Sequence, residues 1–165
     1  MSKHLGEIKL KRNFFIKILL FSPVMFGAIL FLLMFFARQI NDNVAYNVVK
    51  ELKQFPVPEN TVIVEEKAIA DRLCGNGDGV QYFGALLLKS ELSLENLEEY
   101  YAQFSNDKCH IRVEHQCDRT IKQDELALHQ DNSFITNIDA DNYYILYSWG
   151  NYCSIFTYLD DRGIN

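Results

Sequence analysis

Twenty residues without a charge, Ile18 to Ala37 (ILLFSPVMFGAILFLLMFFA), constrain this chain more than any other feature. At 1.5 Å per residue a helix of that length spans roughly 30 Å, the thickness of a bilayer's hydrocarbon core. Phe14, Phe15 and Ile16 extend the run beyond Lys17, so the membrane segment is placed at 14–37, with Pro23 kinking it. A secretory signal has an apolar region of about 7–15 residues and a small-x-small cleavage site. Here the run is longer and ends in Phe35-Phe36-Ala37-Arg38, which reads as an uncleaved anchor. A buried helix of a soluble domain would carry a polar face, and this run has none.

The flanks predict orientation. Lys3, Lys9, Lys11, Arg12 and Lys17 precede or open the run, and only Arg38 closely follows it. Basic residues stay on the cytoplasmic side, so 1–13 is read as cytoplasmic and the rest as extracytoplasmic. Five of the 16 bases and one of the 22 acids precede Arg38, leaving 11 bases against 21 acids and a balance of −10 beyond the span. Such a surface repels nucleic acid and anionic headgroups, so the bilayer around 14–37 is the expected partner and nucleic acid is not.

Beyond the span, Ile40, Val44, Val48, Leu52 and Phe55 recur at threes and fours, so 38–55 is read as an amphipathic stalk. Pro56 and Pro58 end it. The remaining residues, 56–165, predict an α+β domain of about five to six mainly antiparallel strands with one packed helix, near 93–104. TVIVEE from Thr61 is a strand, and KAIADRL either extends it or turns. VQYFGALLLKS is apolar on both faces, the mark of a central strand covered on both sides. Ser93 caps a helix whose Leu94, Leu97, Tyr101 and Phe104 form one stripe. CHIRVEHQC alternates, FITNI and YYILYSW read as strands, and Gly150-Asn151 suggests a hairpin into a last strand, YCSIFTYL.

Cys74, Cys109, Cys117 and Cys153 all lie beyond the span, where an oxidising compartment would let disulfides persist. Cys109 and Cys117 at the ends of one extended strand would stand roughly 26 Å apart and could not bridge. A crossover through the 93–104 helix would set the second and third strands parallel, which suggests Cys74 with Cys109 and Cys117 with Cys153.

Chemical motifs are sparse. CGNGDG (74–79) has G-x-G-x-G spacing, an internal Asp78 and a strand after it, which reads as a turn and not a phosphate loop. Asp139-Ala140-Asp141-Asn142 lacks the rest of a calcium loop, and His115 with Cys117 lacks the paired spacing of structural zinc. No catalytic motif, cofactor or metal is expected. Aromatics gather in the last hairpin and at strand spacing read first as core and cross-strand pairs, with Tyr143, Tyr147, Trp149 and Tyr152 as the candidate binding face otherwise. The layout of apolar helix, stalk and small head resembles type IV pilins. The motif that defines them is absent, since Gly6-Glu7-Ile8 is followed by charges and the span holds no acid. The expected function is a membrane-anchored protein-binding or accessory module, with a small-molecule sensor or regulatory subunit as the alternative and enzyme activity disfavoured.

Overall fold

The computed structural model describes residues 2–72, 79–105, 110–121, 132–149, 152 and 154–163, without the side chains of residues 2–20 and Trp149. It is α+β: a long N-terminal helix, then a four-stranded antiparallel sheet with one short helix. Helix α1 spans Ser2–Leu52 and runs unbroken through Pro23. Phe21–Leu52 contains one segment long and apolar enough to cross a membrane, as an anchor or a signal sequence would. The chain divides into two compact units, Met1–Phe36 and Ala37–Asn165. In the first, Phe21, Phe26, Phe31 and Phe35 are all exposed.

In the second unit the predicted stalk proves to be a layer of the domain itself. Ala37, Asn41, Ala45, Val48, Val49 and Leu52 are buried, a stripe at three- and four-residue spacing. The helix ends just before Phe55-Pro56, as the prolines require. Strands β1 (Thr61–Asp71), β2 (Gln81–Ser90), β3 (Arg112–His115) and β4 (Tyr143–Trp149) lie in the order β1-β2-β4-β3. KAIAD continues β1, with an irregularity between Ile63 and Glu65. Both β2 and β3 pair antiparallel with β4, so they run parallel to each other as the crossover argument held, but β4 separates them.

Both faces of β2 are covered. Leu86 and Leu88 pack with Val49 and Leu52 of α1, with Leu97 and Tyr101 of helix α2 (Leu94–Ala102), and with Leu146. Phe83, Ala85 and Leu87 pack on the other side with Ile121, Phe134, Ile145 and Tyr147. Helix α2 starts as its sequence dictates, with the Ser93 side chain accepting from the Asn96 N–H at 3.3 Å. Gly84 sets how closely α1 approaches the sheet: a β-carbon there would stand 2.7 Å from Val48 and 2.9 Å from the Val49 nitrogen. Its cross-strand neighbour is Ser148, so two small residues floor the contact.

Two expected strands are absent among the described residues. The described part of YCSIFTYL does not pair with β4, whose two neighbours in the sheet are β2 and β3. Residues 155–159 form turns instead and lead into a short 3-10 helix, η1 (Asp161–Gly163). FITNI makes no ladder: Phe134 is buried, and the Ile135 and Thr136 N–H groups both donate to the Glu65 carboxylate at 2.8 Å. Four strands thus stand among the described residues where five to six were expected. Gly150, Asn151 and most of CGNGDG lie outside the described residues.

Candidate functional site

The densest polar arrangement ties the C-terminal segment to α1 and β2. Asn41, facing inward on α1, donates from Nδ2 to the Asp160 carboxylate at 2.9 Å and to the Phe156 carbonyl at 3.2 Å. Its Oδ1 accepts from the Tyr82 hydroxyl at 2.8 Å, and that hydroxyl also lies 2.9 Å from Thr157 Oγ1. Asp160 is fully buried and bound by Arg162, through Nε at 2.9 Å and Nη2 at 2.7 Å. Arg162 reaches on to Asp42 at 2.6 Å and to the Arg38 carbonyl at 3.3 Å.

Burial alone would raise the Asp160 carboxyl. The hydrogen bonds from Arg162 and Asn41 outweigh it and hold the group at about 2. Burial would likewise make the Arg162 guanidinium easier to deprotonate, but its bonds to Asp160 and Asp42 push it further into the charged form. The result is a clamp of one arginine between two carboxylates, fastening the C-terminal segment over the start of the head. It does so by bidentate arginine–carboxylate geometry, the strongest kind of charge-assisted hydrogen bond.

Beside the clamp lies an open cleft of about 380 Å³, lined by Arg38, Asp42, Lys67, Asp71 and Arg162 with the Ala68–Ala70 stretch of β1. Its charges are mixed, and Arg162 and Asp42 are engaged with each other. A second open cleft, about 330 Å³, lies between α2 and β3 against Glu98, Tyr101, Arg112 and Glu114. Burial, then neighbouring Tyr100, pushes the Tyr101 hydroxyl up to about 12, so it stays a neutral donor.

Among the predicted residues, Tyr143 and Tyr147 are buried in the sheet's second core, with the Tyr147 hydroxyl donating to Glu114. Tyr152 is half-buried and donates to Glu51 at 3.1 Å, and the Trp149 side chain lies outside the described residues. Cys117 is an exposed free thiol. Its sulfur lies 3.1 Å from His115 Nδ1, and His115 Nε2 lies 2.6 Å from the Asp141 carbonyl. That geometry places a hydrogen-bond partner at each ring nitrogen. Cys74, Cys109 and Cys153 lie outside the described residues, and with them the Cys74–Cys109 pairing; Cys117, expected to bridge Cys153, is in no disulfide among the described residues. Among the described residues no three His, Cys, Asp or Glu side chains come together as a metal site.

Asn41, Tyr82, Asp160 and Arg162 were not singled out from the sequence. Asn41 sits among Asp42, Asn43 and Asn47 and reads as solvated, and DDRGIN reads as a polar tail. The one usable signal was the pair of small residues Ala37 and Ala45 four positions either side of Asn41, which marks that face as the one closely packed. Compared with known proteins, the chain matches no family model, no curated protein and no solved structure.

Proposed function

We propose that this chain is a single-pass membrane protein, anchored by residues 14–37 with its basic N-terminus in the cytoplasm, and that its acidic head works outside as a protein-binding or accessory module and not as an enzyme. The observation carrying this reading is the exposure of the apolar part of α1 ahead of a part that is built into the head. Phe31 is 71% exposed in a segment with no charge, which water would not tolerate and lipid would. Against removal as a signal sequence, the uncharged run is longer than the about 7–15 residues of a signal's apolar region and ends in Phe35-Phe36-Ala37-Arg38, a poor cleavage site.

Support for a protein partner comes from β1. It is an edge strand, and Val62, Ile63 and Val64 are exposed on it, so a strand from another protein could add there through main-chain hydrogen bonds and β-branched contacts. The open cleft beside Arg38 and Lys67 is what supports the alternative, a small-molecule sensor or regulatory subunit acting with a partner.

A photo-crosslinking residue at Val62 in intact cells tests the partner reading. One discrete adduct, abolished by Val64→Pro, is expected; lipid adducts alone, or none, would remove the edge-binding reading. Protease added outside intact cells should digest the head, and protection there would overturn the orientation.

A further inference from the structure

We infer that the turn Ser154–Leu159 is a second membrane contact, in which Ile155, Tyr158 and Leu159 enter the headgroup layer beside the point where α1 leaves the bilayer. This rests on the anchor reading above and adds to it a lipid-facing surface on the head. Ile155 is 88% exposed and Tyr158 70% exposed, and Leu159 is exposed beside them. These are not loose side chains. The Phe156 carbonyl is held by Asn41, the Thr157 carbonyl accepts from the Val80 N–H at 3.1 Å, and Asp160 is locked by Arg162, so the turn is fixed with its apolar residues outward.

Distance along the chain sets the depth. The clamp holds the turn to Arg38, Asn41 and Asp42, which follow Ala37 by one, four and five residues. On a helix those positions lie within about 8 Å of the end of the apolar run, whatever the tilt. The polar layer on each side of a bilayer is itself about 5–8 Å thick. The turn therefore stands at headgroup depth, where tyrosine with an apolar body and a polar tip is favoured. Ser154–Leu159 (SIFTYL) carries no charge, and of its neighbours Arg162 is held by Asp160 and Asp42 while Asp161 is exposed, so nothing there attracts anionic lipid and the surface suits zwitterionic lipid, whose apolar contacts salt does not screen.

The test uses the full chain in phosphatidylcholine vesicles brominated near the headgroup end of the acyl chain. Tryptophan is placed singly by Ile155→Trp, Tyr158→Trp, Phe31→Trp and Ile135→Trp, and the unaltered chain supplies the background of its one native Trp149. Ile135 is the exposure-matched control on a different segment: it is 84% exposed, and its N–H donates to Glu65 of β1. Blue-shifted emission and bromine quenching at positions 155 and 158, unchanged by added salt and absent at 135, are expected. Quenching at 31 with none at 155 or 158 overturns this inference and leaves the anchor standing. No quenching at 31 overturns the anchor, and the inference with it. A blue shift at 155 and 158 without quenching would mean that protein, such as a second copy of the chain, covers the turn in place of lipid.

Discussion

Two stretches of one helix, Phe21–Phe36 and Ala37–Leu52, face different surroundings. The first exposes phenylalanine, leucine and methionine around its whole circumference. The second buries a narrow stripe of small and β-branched residues with an asparagine among them, and leaves Arg38, Tyr46 and Lys50 outside. A helix apolar all round needs an apolar solvent, whereas one with a single apolar stripe needs a neighbour. The same secondary structure therefore does two jobs, and side-chain size around the helix separates them better than hydropathy does.

The sharpest way to break that contrast is at two glycines. Gly84→Ala would drive a methyl group into Val48 and the Val49 backbone, and should cost about 3 kcal/mol of stability in a urea titration followed by circular dichroism. Gly27→Ala meets nothing within 4 Å and should leave the same transition where it was. Equal effects at the two positions would mean that the second stretch does not pack on the sheet.

Asn41→Leu comes next. It removes the acceptor that the Tyr82 hydroxyl has in Asn41 and a donor from buried Asp160, at about 2 kcal/mol in the same titration. Phe31→Asn, a polar substitution in the exposed stretch, should weaken retention in carbonate-washed membranes and leave the unfolding midpoint alone.

A pH titration reads the clamp directly. Because the folded protein holds the Asp160 carboxyl at about 2, below its unfolded value near 4, its contribution is whole above about pH 4 and is lost as pH falls towards 2. On the order of 2 kcal/mol should disappear across that window, and Asp160→Asn should lack that part of the slope. A parent and variant with parallel profiles would show that the clamp is not formed in solution.

The smallest effect belongs to the exposed pair Lys53–Glu66, 2.7 Å apart just past the end of α1. Lys53→Ala should not move the unfolding midpoint measurably at physiological salt, because solvent screens such pairs. A clear shift would show that the join between α1 and β1 depends on this pair and not on Leu52 and Phe55.

Several elements were legible in the residues alone because their causes are local. The uncharged run, the helix stop before Pro56, the Ser93 cap and the two-faced apolar pattern of β2 each depend on near neighbours in sequence. The periodicity of 38–55 correctly marked a helix with one apolar stripe, yet Ile40 and Val44 are only partly buried while Asn41 is fully so. The stripe's centre is shifted because close approach at Gly84 favours small residues at the contact, and a hydropathy pattern does not weigh size.

What the sequence by itself determined is the division of the chain: an uncharged segment long enough for a bilayer, followed by a head with its own core. Tertiary structure alone decided that β4 has a strand on each side, with residues 155–159 in turns, and that Tyr143 and Tyr147 face inward. It also decided that Asp160 meets Asn41 and Arg162 meets Asp42 across more than a hundred residues. Edge occupancy and long-range polar pairing are properties of the assembled sheet, and no local pattern encodes which partner arrives first.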